Sequence, residues 1–123
     1  MDFMDYSTHE KGLILLAISK KCRSPNENEC ILWDGTNSIN SQGYPLKTIK
    51  GKSFLAHRIV YALNFNTSLS NRHFHVSHLC HQKTCLNFAH LSCEPAGINS
   101  QRNSCVRENI CYGHGKYPRC LII

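Results

Sequence analysis

Cys80, Cys85 and His90 are separated by four residues each time. Thiolate and imidazole are ligands that a borderline-soft, tetrahedral ion such as zinc accepts, and a loop folding back on itself would gather three of them. Three ligands leave one position open. Cys30, at the start of a short apolar stretch, is the best-placed fourth, with Cys22 and Cys93 as alternatives. Farther along, Cys105, Cys111, His114 and Cys120 make a complete Cys₃His set, and Gly113 and Gly115 suit a loop wrapped tightly on a metal. Both sets read as closed, structural sites rather than catalytic zinc. His78 stands two residues before Cys80, so along an extended strand both side chains point to one face. Zinc at Cys80 would then hold His78 rigidly, as a catalytic base requires. Asn99 and Asn103 lie one turn apart on a helix starting at Glu94-Pro95-Ala96, with Arg102 beside them.

Composition agrees with metal rather than disulfides. With 123 residues the chain suits one domain and is too short for two ordinary ones; 41% hydrophobic residues make a thin core, which metal staples can supplement. Met1-Asp2-Phe3-Met4-Asp5 lacks the basic start and small-residue cleavage site of a secretory signal. The expected location is therefore intracellular, nuclear if the source is eukaryotic, where disulfides rarely persist. The apolar run from Gly12 to Ile18 is far too short to span a bilayer, so no membrane partner is expected. The formal charge is +6. Six thiolates would subtract six charges and two Zn²⁺ add four, leaving about +4, modestly favourable to nucleic acid.

The elements that must position these groups follow from periodicity and turn residues. His9 to Lys21 reads as an amphipathic helix with Leu13, Leu16 and Ala17 on one face, and Arg23 to Asn28 as a loop. Cys30 to Trp33 is a short strand closed by Asp34-Gly35, and Thr36 to Gln42 a polar turn. Gly43 to Ile49 and Lys52 to Leu55, joined by Lys50-Gly51, form a β-hairpin with Pro45 placing its strand at an edge. Ala56 to Asn64 is a helix with Ile59, Val60 and Leu63 inward and His57 and Arg58 on a solvated face. The division expected is an N-terminal helix and loop (1–29) and a zinc-bound domain (30–123). A strand, a zinc loop, a second strand and a helix could bring His78 and Asn99 together across one cleft.

The run Ser77-His78-Leu79-Cys80-His81, with Cys85, Asn87, His90-Leu91, Asn99, Arg102, Asn103 and Cys105, closely resembles the His-Cys box homing endonucleases. These belong to the His-Me finger (ββα-metal, HNH-like) nuclease superfamily. Cys30-Ile31-Leu32-Trp33-Asp34-Gly35, Gly51-Lys52-Ser53 and Ala56-His57-Arg58 are similar to the sequence preceding the finger in HNH-type enzymes. The resemblance implies an α+β fold, a zinc-stabilised ββα-metal core with an upstream antiparallel hairpin and few helices. It implies a metal-dependent endonuclease acting on double-stranded DNA, with His78 as general base and Asn99 as ligand of one catalytic Mg²⁺. Cys30, Cys80, Cys85 and His90 would hold one zinc, and Cys105, Cys111, His114 and Cys120 the other. The cation supporting the transition state would be Arg102, Lys47 or Lys50, and Asn40, Gln42, Tyr44, Lys47 and Lys50 on the hairpin would meet DNA. Two departures from the homing enzymes stand out. Two residues rather than one separate Cys111 from His114, and no long tail of the kind that supports dimerisation follows Cys120, leaving a homodimer open. The rival expectation is a zinc-stabilised DNA-binding module that keeps the finger without cutting.

Overall fold

The computed structural model describes residues 5–23, 29–34 and 38–121. The expected loop at 24–28, and the part of the expected turn at 35–37, lie outside the described residues. Ser7 starts α1 (Thr8–Ser19) with a capping box: its Oγ accepts from the Glu10 amide, while its own amide donates to Glu10 Oε1, both at 3.1 Å. The apolar run inside α1 nearly encircles the helix, so spacing alone cannot choose its inner face. Packing selects Ile18, with Ile14 and Leu15 beside it; Leu13 and Leu16, expected inward, are 52% and 50% exposed.

Strand β1 (Cys22–Arg23) pairs antiparallel with β2 (Leu32–Trp33), setting Cys22 against Trp33. Strands β3 (Leu46–Ile49) and β4 (Lys52–Leu55) form the expected hairpin in the register Leu46 with Leu55 and Ile49 with Lys52. Its two-residue turn places Lys50 at φ 51° and Gly51 at φ 83°, the left-handed pair that matches strand twist. Helix α2 (Ala56–Phe65) follows at once and ends on Asn66 in the left-handed conformation. Its Ile59, Val60 and Leu63 enter the core as expected. His57 does not lie on a solvated face; it is buried.

Strands β5 (Phe74–His78) and β6 (Leu91–Pro95) are antiparallel, with Ser77 opposite Ser92 and His78 opposite Leu91, and β6 runs straight into α3 (Ala96–Glu108). This is the ββα unit, and the whole is an α+β fold of small antiparallel ladders and three helices among the described residues. One cluster, including Ile18, Trp33, Ile59, Val60, Val76 and Leu91, joins α1, α2 and the finger strands. Two further buried clusters contain the cysteines, one around Cys30, Cys80 and Cys85, the other around Cys105, Cys111 and Cys120. Metal sites thus occupy positions where a larger domain would have hydrocarbon.

Candidate functional site

Backbone stitching explains how Cys30 reaches a loop more than fifty residues away. The Trp33 amide donates to Thr84 O at 2.9 Å and the Leu86 amide to Ile31 O at 2.7 Å, laying the β2 segment along the loop that carries Cys80 and Cys85. A 3₁₀ turn (Phe88–His90), capped by the Asn87 side chain, delivers His90. The ligand atoms of Cys30, Cys80, Cys85 and His90 all lie within 4.8 Å of one another. Cys30 Sγ and Cys85 Sγ stand 3.7 and 3.5 Å from His90 Nδ1. A tetrahedral zinc with bonds near 2.3 Å to sulfur and 2.1 Å to nitrogen requires S···N edges of about 3.6 Å, so the set fits that ion. Cys22 and Cys93 fall outside both sets; the Cys22 thiol instead donates to Ile18 O at 3.3 Å.

The second set is equally regular. Cys105, Cys111 and Cys120 Sγ lie 3.5, 3.4 and 3.5 Å from His114 Nε2. His114 Nδ1 meets Gln101 Oε1 at 3.0 Å, which assigns the proton to Nδ1 and leaves Nε2 bare for metal. The amides of Gly113 and Cys120 each approach Cys111 Sγ at 3.4 Å. Burial opposes ionisation of Cys111, but these amides and the neighbouring thiols outweigh it and bring the group down to about 7. Burial, with the other two thiols, pushes Cys105 up to about 12. In the first set, the Cys80 thiol draws Cys85 down to about 4 and is itself pushed up. Thiols this crowded cannot all ionise without a cation among them, and zinc supplies that charge.

Strand β5 ends at His78, and Cys80 lies on the turn beyond it, so the shared-face geometry of one extended strand does not apply. His78 is held instead by packing, its ring lying against His57 and Tyr44 and close to the Cys85 backbone. Its Nε2 is buried without a hydrogen-bond partner among the described residues. Burial pushes the imidazole down to about 4, against the pull of Cys85 in the other direction, so the ring is neutral near pH 7. His57 packs 4.5 Å from His78, centroid to centroid, and Tyr44 stacks on His78 at 5.9 Å. His57 Nδ1 is also buried without a partner, and burial, then the nearby His78 and Arg58, push His57 down to about 3.

These rings border a cleft of about 710 Å³ that Asn99, Asn103, Gln42 and Ser77 also line. Of the expected DNA contacts, Gln42 and Tyr44 reach it, whereas Lys47 and Lys50 do not. Lys50 pairs with Glu10 at 3.7 Å and covers the Tyr6 ring. Asn40 spends its Oδ1 on the amides of Gln42 and Tyr44, both at 3.0 Å. The free transition-state cation expected at Arg102 is not there. Arg102 is 2% exposed and grips fully buried Glu94 through Nε at 2.5 Å and Nη2 at 2.8 Å. It also donates to Pro118 O at 2.8 Å and Cys120 Sγ at 3.2 Å, so four of its five N–H groups are committed. Three cations that sequence reasoning passed over do line the cleft: Arg58, Arg72 and Lys83. Lys83 had a legible signal, since it lies in the zinc loop between Cys80 and Cys85.

A ββα finger braced by two Cys₃His sites, with a neutral histidine facing a cleft, defines a zinc-stabilised His-Me finger domain. Residues 17–120 match the family described as the zinc-binding loop region of homing endonuclease, and the chain belongs to that family. Comparisons with curated proteins and with solved structures gave no match.

Proposed function

We propose that the protein is a metal-dependent endonuclease that hydrolyses phosphodiester bonds of double-stranded DNA. The observation that carries this reading is His78: a neutral ring that lines a cleft Asn99 shares. In that cleft the neutral His78 imidazole takes a proton from the water attacking a phosphate. Asn99 offers an amide oxygen, and the flanking Gln42, Ser77 and Asn103 are neutral and polar. That donor set fits a hard divalent cation that retains most of its waters and takes phosphate oxygens, such as Mg²⁺. When bound, such an ion neutralises charge on the phosphate and the departing 3′ oxygen. Arg58, Arg72 and Lys83 replace Arg102, Lys47 and Lys50 as the cations that meet phosphates. A homodimer remains compatible with this reading, and residues 30–123 would carry both zincs and the cleft.

Supercoiled plasmid incubated with Mg²⁺ tests the proposal. Wild-type protein should nick or linearise it. His78→Ala should slow cleavage about 100- to 10,000-fold, as expected for loss of a general base, with zinc content and DNA binding retained. A wild-type protein that binds DNA but never cuts it with any divalent cation would instead be a binding module.

A further inference from the structure

A ligand amide has to present oxygen, not nitrogen, to a cation, and Asn99 sits between two groups that decide this. Its Oδ1 accepts from Ser77 Oγ at 2.6 Å, and its Nδ2 faces His75 Nδ1 at 3.4 Å. The two ends of a carboxamide are similar in shape, so their partners settle which is which. A separation of 2.6 Å lies within the O–H···O range and is shorter than N–H···O bonds adopt, so the atom against Ser77 is oxygen. A carbonyl oxygen has two acceptor positions; Ser77 occupies one and leaves the other.

Ser77 is itself held. It is buried in β5, and its hydroxyl lies beside the Glu94 carboxylate. Burial works against the Glu94 charge, yet the Arg102 fork holds that carboxyl below the usual range, so Glu94 leaves the Ser77 proton to Asn99 Oδ1. Arg102 in turn reaches Cys120 Sγ, a member of the second cysteine-histidine set. A chain of polar contacts therefore runs from Cys120 through Arg102, Glu94 and Ser77 to Asn99.

The geometry points to Ser77 as a positioning residue, one that fixes the Asn99 carboxamide with its oxygen toward the cation and is anchored through Glu94 and Arg102 to the second metal site. The inference rests on the reading of Asn99 as a cation ligand. Without the Ser77 donor, the amide is free to rotate and offers its NH₂ group to the cleft, which repels a cation. Loss of such a supporting contact typically weakens metal binding about 10- to 100-fold.

The test counts bound Mn²⁺ by electron paramagnetic resonance on zinc-loaded protein with plasmid DNA, in a His78→Ala background that prevents cutting. Ser77→Ala should raise the Mn²⁺ half-saturation at least about tenfold, with zinc content and melting temperature unchanged, and Ser77→Thr should restore it. In the cleaving protein, Ser77→Ala should raise the Mg²⁺ half-saturation while the rate at saturating Mg²⁺ stays near wild type. Asn99→Asp supplies the control that a merely structural role for Ser77 would not pass. A carboxylate presents oxygen either way round, so adding Ser77→Ala to Asn99→Asp should change Mn²⁺ binding less than about twofold. An unchanged half-saturation in Ser77→Ala, or an equal loss in the Asn99→Asp background, overturns the inference and leaves the Asn99 ligand intact. Mn²⁺ binding that survives Asn99→Ala undiminished removes the ligand reading itself, and the inference with it. Should Ser77→Ala lose zinc, His75→Gln tests the other end of the same clamp: raised half-saturation supports the clamp, and no change overturns it.

Discussion

Replacing Arg102 with methionine removes one partner of a buried ion pair and keeps most of the side-chain volume. Glu94 would be left fully buried, its carboxylate facing apolar atoms where two guanidinium N–H groups had been. Breaking such a pair on one side costs about 3–5 kcal/mol, because the remaining charge stays desolvated and unpaired. Against the total stability of a small domain, about 5–15 kcal/mol, this is a large fraction. With a urea dependence of about 2 kcal/mol per molar, the unfolding midpoint should fall by about 2 M. The single tryptophan, Trp33, is buried in the core and reports the transition by fluorescence at fixed free zinc. Adding Glu94→Leu to Arg102→Met should recover part of the loss. What remains is the lost donation to Pro118 O and Cys120 Sγ, about 1 kcal/mol each. A single variant that loses under about 1 kcal/mol, or a double variant no more stable than the single, would refute the claim that Arg102 serves structure by neutralising Glu94.

Elemental analysis should find two zincs per chain, matching the two Cys₃His sets; Cys111→Ser should retain one and unfold at lower temperature. Neutral His57 predicts acid sensitivity. The unfolded imidazole takes a proton near pH 6.5 and the folded one only near 3, so the unfolded state binds more protons between those values and stability falls as pH falls. His57→Leu should reduce the slope of unfolding free energy between pH 6.5 and 5 by about 1.4 kcal/mol per pH unit; equal slopes in the two proteins would contradict a neutral buried ring. Lys83→Ala should weaken DNA binding and lower its salt dependence by about one counterion, whereas Lys50→Ala, outside the cleft, should change neither. A larger effect at Lys50 would place the DNA on the hairpin instead.

The two metal sets were legible because ligands to one ion recur at short intervals and use few residue types, so Cys80, Cys85 and His90 announce themselves without a fold. Cys30 was reachable only as the best of three candidates, since its approach depends on backbone bonds from Ile31 and Trp33 to the loop at 84–86. The inner face of α1 was not legible: where nearly every position from 13 to 18 is apolar, periodicity carries no direction. His57 and Arg102 show the opposite failure. Both are polar residues whose ordinary place is the surface, and each is buried because of a partner that spacing does not reveal. For His57 that partner is the His78 ring, 4.5 Å away across the α2–β5 contact; for Arg102 it is Glu94, eight residues back on another element. The cations that line the cleft could not be chosen from sequence for the same reason: Arg58 and Lys83 are placed there by contacts to Leu69 O and Gln42 O that spacing does not reveal.

The Leu79 amide donates to His90 O, and Leu79 O accepts from the Leu121 amide, both at 2.7 Å. The turn just after His78 is therefore clasped by residues from two separate parts of the chain. Cys30, Cys80, Cys85 and His90 all precede Cys120 and Leu121 in the chain. The first cysteine-histidine set thus lies wholly upstream of the Pro118 and Cys120 partners of Arg102. The turn beneath His78 is therefore complete only when the segment around Leu121 has docked, which ties the histidine's support to the last of the described residues.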